Sequence, residues 1–124
     1  MEKVSCCFYS NARDFARLAK LYMNYGKWND EQIVDSSFVA QSTTLADLLT
    51  TDGTPNDQYG FQWWVTNYKN NKVFYMRGIR GQYVFAIPDK KIIAVRLGHK
   101  RASKSGNELP ADIFLYLDVA LSLE

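Results

Sequence analysis

Residues 59–98 read YGFQWWVTNYKNNKVFYMRGIRGQYVFAIPDKKIIAVRLG, and the fold turns on how they are parsed. Four apolar runs, at about 59–67, 72–78, 81–88 and 91–98, are separated by turn formers. Lys69-Asn70-Asn71-Lys72 suits a hairpin, because asparagine tolerates positive φ, and Pro88-Asp89-Lys90 supplies another turn. These connections are too short for the crossovers that parallel strands need, so the spacing predicts an antiparallel meander. Val84 and Ala86 point one way and Tyr83, Phe85 and Ile87 the other, while Ile92-Ile93-Ala94-Val95 leaves no polar face. A sheet that is apolar on both faces has to be covered on both.

Working outward, Ser10 or Asn11 can cap a helix in which Phe15, Leu18, Ala19 and Tyr22 recur at helical spacing. The pattern predicts a helix over 11–25, ended by Gly26 in the left-handed conformation. A short helix near 37–41 and an ambiguous segment at 45–49 follow, and Asp52-Gly53-Thr54-Pro55-Asn56-Asp57 reads as a surface loop. After a polar loop at 100–107, Pro110 opens a C-terminal helix carrying Ile113, Phe114, Leu117, Ala120 and Leu121. The expected class is α+β: one domain over 1–124, a meander of about four strands flanked by N-terminal and C-terminal helices. The C-terminal helix is expected on one face, and the helix at 11–25 or a partner on the other.

The 124 residues carry a formal net charge of +2, which gives no dedicated surface for nucleic acid or anionic membrane. No run of about 18 apolar residues spans a membrane. Residues 1–10 hold no apolar export segment. Cys6 and Cys7 are adjacent, too strained for a local disulfide and too few for zinc, so two free thiols are the plain reading. Neither a metal nor another cofactor is expected.

The order of tryptophan-rich strand, hairpin, Gly78-x-x-Gly81-Gln82 corner and an apolar strand ending in Pro88-Asp89 resembles the C-terminal sheet of serine β-lactamase-like hydrolases. These are the class C β-lactamases, DD-peptidases, penicillin-binding proteins and related esterases and amide hydrolases. The run Arg13-Asp14-Phe15-Ala16-Arg17-Leu18, followed by Gly26-Lys27-Trp28, extends the resemblance from about Ser10 to Leu121, roughly the last third of a complete family member. It implies a partial β-lactamase/transpeptidase-like fold and acyl transfer from, or hydrolysis of, an amide, ester or β-lactam. Family chemistry uses Ser-x-x-Lys, then Tyr-x-Asn, then Lys-Thr-Gly or a relative. Aligning the last on Gly78 puts Met76 where lysine or histidine is usual and Arg77 where threonine or serine is usual. The resemblance also makes Ile79 the backbone donor to an oxyanion hole.

No Ser-x-x-Lys occurs in the chain. Tyr22-Met23-Asn24 matches Tyr-x-Asn as text, but it ends an amphipathic helix that in the family follows the true motif, so it is read as coincidence. His99 with Ser103 and Asp112 or Asp118 could be written as a triad, yet no sharp strand-to-helix turn presents a serine, and an exposed loop histidine is the plainer reading. Cys6 or Cys7 as nucleophile lacks an evident base. Lys100, Arg101 and Lys104 with Lys90, Lys91 and Arg96 read as solvated charge, not as a single-strand nucleic-acid groove.

The chain is therefore expected to be the C-terminal part of such a hydrolase, inactive alone. The alternative is a stand-alone binding module in which Arg77, Arg80 and Gln82 contact an anionic or peptide-like partner; Arg77 as a merely solvated strand-end residue is the bland option. In the family two N-terminal strands pair with the last strand of this meander. Strand 91–98 is thus expected to have an open edge, one sheet face to lose its cover, and the chain to bind its missing N-terminal part or form a homo-oligomer. The family usually acts outside the cytoplasm, and the chain's own location stays open.

Overall fold

The computed structural model describes residues 9–103 and 109–123; Cys6, Cys7 and Lys104 lie outside them. The first helix, α1, spans Ala12–Met23. Asn11 caps it, its side-chain oxygen accepting the Asp14 backbone N–H at 3.1 Å, which satisfies one amide the first turn leaves unpaired. At the other end the left-handed residue is Tyr25 (φ 52°), one position before the expected glycine. Tyr25 N–H donates to the Tyr22 carbonyl and Gly26 N–H to the Leu21 carbonyl, at 3.1 and 2.8 Å, the double closure of a Schellman end. Gly26 (φ 81°) is needed one step later, because a Cβ there would collide with the Val34 carbonyl oxygen.

A two-stranded ribbon follows that the sequence reading does not anticipate: β1 (Lys27–Trp28) pairs with β2 (Glu31–Gln32) across Asn29 and Asp30, both at positive φ. The short helix α2 spans Ser36–Ser42, with the Asp35 carboxylate accepting the N–H groups of Ser37 and Phe38 at 2.9 and 3.0 Å. The ambiguous 45–49 stretch forms no helix or strand beyond a bridge from Leu49 to Pro55.

The meander is present as expected: β3 (Trp64–Tyr68), β4 (Asn71–Arg77), β5 (Tyr83–Ile87) and β6 (Ile92–Arg96) pair antiparallel in that order. Its first strand is shorter than the 59–67 run. Gln62 adopts φ 65° and the backbone turns at Gly60, where a Cβ would meet the Thr44 carbonyl oxygen. Tyr59 rejoins the sheet only through one bridge to Trp64. The hairpin turn sits one residue earlier than its text suggests, with Lys69 (φ 48°) and Asn70 (φ 62°) at its centre. Two successive left-handed residues match the strand twist. Asn71 is already in β4, buried, its side-chain amide donating to the Lys69 carbonyl at 2.8 Å.

Helix α3 spans Asp112–Leu121. Strand parity sorts the sheet into two clusters. Val73, Tyr75, Tyr83, Phe85 and Ile87 pack with Ile113, Leu117 and Ala120 of α3. Trp63, Val65, Phe74, Val84 and Ala86 pack with Ala19, Phe15 and Tyr22 of α1. The expectation that one face loses its cover is therefore corrected: α1 lies against β5 and β6 and closes it. The open edge does appear, since no described strand or bridge pairs with the outer side of β6. No described helix is long and apolar enough to cross a membrane.

Candidate functional site

The corner between β4 and β5 carries Met76, Arg77, Gly78 and Ile79, the candidate site residues taken from the family resemblance. Arg77 faces Tyr83 across the ladder, and beyond that pair the chain turns through Gly78-Ile79-Arg80-Gly81-Gln82. The turn is closed by Gly78 N–H to the Gln82 carbonyl at 2.8 Å and Gly81 N–H to the Gly78 carbonyl at 3.1 Å. Gln82 staples it from within: its side-chain oxygen accepts the Arg80 N–H at 3.0 Å. That oxygen is thus occupied by the turn itself. Gly81 sits at φ 80°, and a Cβ there would meet Arg96 and the Lys100 carbonyl.

Met76 and Arg77 point to opposite faces, as neighbours on a strand must. Met76 packs with the cluster under α1. Arg77 turns toward the α3 side, its guanidinium carbon 3.8 Å from the centre of the Trp64 ring. Its Nη1 is buried and has no hydrogen-bond partner among the described residues. Stacking on an aromatic face compensates a guanidinium in part, but each buried N–H still calls for an acceptor. Ile79 is 79% exposed at the tip. Its backbone N–H donates to no described group.

Arg96 holds the corner from β6. It donates to the carbonyls of Gly81 and Lys100, the latter at 3.1 Å, and lies over the rings of Tyr83 and Tyr116. Neither its text nor its spacing marks it as a corner residue; only the register Arg77, Tyr83, Arg96 across three strands does. Arg77, Arg80, Arg96, Lys100 and Arg101 gather here, and none of them is in an ion pair among the described residues. The carboxylate tied to this row is Asp112, which accepts the Tyr83 hydroxyl at 3.1 Å. Burial first, then that bond, pushes the Tyr83 phenol up to about 12; burial alone pushes Tyr75 up to about 12. Both phenols are neutral at physiological pH.

The triad written from His99, Ser103, Asp112 and Asp118 is not assembled. His99 is exposed in the loop after β6, and Asp118 is held elsewhere, by Lys69 and by the Tyr68 hydroxyl. Tyr22 of the textual Tyr-x-Asn packs on Trp63, ring centres 4.8 Å apart. No three His, Cys, Asp or Glu among the described residues converge as a metal site. Two surface hollows, of about 480 and 170 Å³, are lined from α1, the β1–β2 ribbon, α2 and the opposite end of β4, and neither includes a corner residue.

A family model described as Beta-lactamase matches residues 7–118. No curated protein sequence matches the chain. Among solved structures, a protein named as a 6-aminohexanoate-dimer hydrolase from Bacillus anthracis superposes with a TM-score of 0.67 and 27% identity. The match takes in 90% of this chain and 29% of that one, so the chain spans less than a third of the neighbour's length.

Proposed function

The chain belongs to the β-lactamase family, and from that premise we propose that it is the sheet-bearing C-terminal portion of a serine hydrolase that transfers an acyl group from an amide, ester or β-lactam. The observation that supports this most directly is the Ile79 amide immediately after Gly78, at the end of β4, unpaired among the described residues and carried by a residue that is itself exposed. An N–H at that point can meet the charge that develops on a carbonyl oxygen in the transition state. In this reading Met76-Arg77-Gly78 lines one wall of the pocket. Arg77 offers a planar fork to a substrate carboxylate. The corner lies outside both hollows because the opposite wall belongs to the rest of the protein.

A second amide, the attacking serine and the groups that move its proton would come from that rest, joined through the open edge of β6. The 124 residues contain no Ser-x-x-Lys, so the chain alone is expected to be inactive. The test is hydrolysis of a chromogenic β-lactam, a nitrophenyl ester and the linear 6-aminohexanoate dimer. The last is chosen because the structural neighbour is named for it. Turnover of any of the three above a heat-denatured control would show that the chain holds a nucleophile this reading denies it.

The five cations at the corner support a second reading, a non-catalytic module that binds an anionic or peptide-like partner through Arg77 and Arg80. Titration with a short peptide bearing a free C-terminal carboxylate separates the two. Binding that Arg80→Gln alone weakens, while the amidated peptide does not bind, favours the module, because only that reading uses Arg80.

A further inference from the structure

The Gly78–Gln82 turn is bonded mostly to itself. Gly78 N–H donates to the Gln82 carbonyl, Gly81 N–H to the Gly78 carbonyl, and Arg80 N–H to the Gln82 side-chain oxygen. These bonds give the turn its shape and not its place, because a closed turn at the end of a strand ladder can swing as one piece. The ladder between β4 and β5 ends at the Arg77–Tyr83 pair. Beyond the ladders, the hydrogen bond that ties the turn to another element among the described residues is the one the Gly81 carbonyl accepts from Arg96 Nη1. Nη2 of the same guanidinium donates to the Lys100 carbonyl at 3.1 Å. One planar group thus grips two segments, the corner and the chain that leaves β6.

The surroundings are cut to its outline. A Cβ on Gly98 would lie 2.6 Å from Nη1 and 2.7 Å from Cζ. A Cβ on Gly81 would collide with Nη1 and come within 2.9 Å of the Lys100 carbonyl oxygen. Gly81 is also required for its φ of 80°, whereas Gly98 lies outside the left-handed region, so there the missing Cβ serves space alone. Tyr83 and Tyr116 present their rings to the guanidinium, with centres 6.0 and 5.3 Å from its carbon. No carboxylate pairs with Arg96 among the described residues. Its charge is directed at carbonyls instead, in charge-assisted bonds about twice as strong as neutral ones. A lysine ammonium is a point donor and has neither the fork nor the flat face.

We propose that Arg96 is the positioning residue of the corner. By holding the Gly81 carbonyl against the 98–101 segment it keeps the Ile79 amide, two residues back, pointing one way. A donor to an oxyanion is effective when its direction is set before the charge develops, and the self-bonded turn does not set it. The use made of the amide rests on the hydrolytic reading; the clamp itself does not, since every contact in it lies within this chain.

The experiment measures backbone amide order parameters and amide exchange on the whole chain, with Phe85 and Ala86 of β5 as internal references. Ile79 is expected near the rigid value of about 0.85 in the parent and below about 0.6 in Arg96→Met and Arg96→Lys, while Phe85 and Ala86 keep their values. Exchange of the Gly81 amide is expected to quicken at least about tenfold in both variants. Gly98→Ala keeps the arginine but crowds it out of its slot. It is expected to loosen Ile79 in the same way, and to add nothing further in the Arg96→Met background. An Ile79 amide that stays rigid in Arg96→Lys overturns the proposal, and so does one already mobile in the parent. Loosening that spreads to Phe85 and Ala86 also overturns it, because Arg96 would then support the fold at large. If the Arg96 variants do not fold, Gly98→Ala decides by the same two criteria. Turnover by the chain alone would sink the hydrolytic reading and leave these readouts unmoved, so the two ideas fail separately.

Discussion

Single residues at the corner and at the end of α1 show how much depends on position within a turn. Arg77 is legible in the sequence as a strand-end arginine beside a glycine, but not its stack on Trp64. Which face it takes depends on parity in β4, and which ring it meets depends on β3 starting at Trp64. Gln82 is chemically plausible as a ligand contact in the text, whereas its oxygen closes the turn on Arg80. Gly26 is legible as a helix terminator, and only the fold shows that its neighbour Tyr25 takes the left-handed cap. Gly26→Ala is therefore expected to destabilise the chain by about 2–3 kcal/mol or more, combining left-handed strain with the clash against Val34. Urea denaturation reads this, and an unchanged midpoint would mean the closure onto Val34 is loose. Tyr25→Gly, which relieves a left-handed non-glycine residue, is expected to shift the midpoint the other way or leave it in place.

At the scale of elements, the strands are legible because short apolar runs such as those of β4 and β5 are bounded by turn formers. The ribbon β1–β2 is not, because two residues per strand carry no period. The hairpin slipped by one because Asn70 and Asn71 are equally turn-like as text, and the buried amide of Asn71 decides between them. That hairpin also latches α3. Asp118 pairs with Lys69 Nζ at 2.6 Å and accepts the Tyr68 hydroxyl at 2.9 Å. The Lys69 bond first and the Tyr68 bond second hold the Asp118 carboxyl below its usual 3.8, while Lys69 is raised above 10.5 by the same contact. A depressed carboxylate contributes stability above its unfolded value and loses it as pH falls through the folded one. A raised lysine contributes below its unfolded value and loses it as pH rises through the folded one. The latch is thus in force from about pH 4 to 10. Asp118→Asn is expected to lower the thermal midpoint at pH 7, and the gap from the parent to narrow as pH drops below 4. The pair is solvent-exposed, so the effect is small and weakened by salt. A gap of the same size at pH 2 would assign the latch to shape, not to charge.

For the molecule as a whole, the decisive feature is that the two apolar clusters share one sheet. All five residues of β5 are buried, Val84 and Ala86 against α1 and Tyr83, Phe85 and Ile87 against α3. The sequence announced both faces in that strand, and the prediction that one would be bare failed because α1 returns over β5 and β6. A layer on either side of a common strand cannot melt while the other stays, since losing α3 exposes the rear of the strand that α1 packs on. Leu117, fully buried on α3, tests this. Leu117→Ala is expected to cost about 2–5 kcal/mol, a large share of the stability available to a domain of this size. With Trp28 and Trp64 replaced by Phe, Trp63 on the α1 face is the sole tryptophan emitter. Its emission should then change at the same lowered urea concentration as the far-ultraviolet signal, although the mutation lies on the other face. If Trp63 kept the parent midpoint while helical signal was lost earlier, the two faces would be separate folding units. The shared strand would then not couple them.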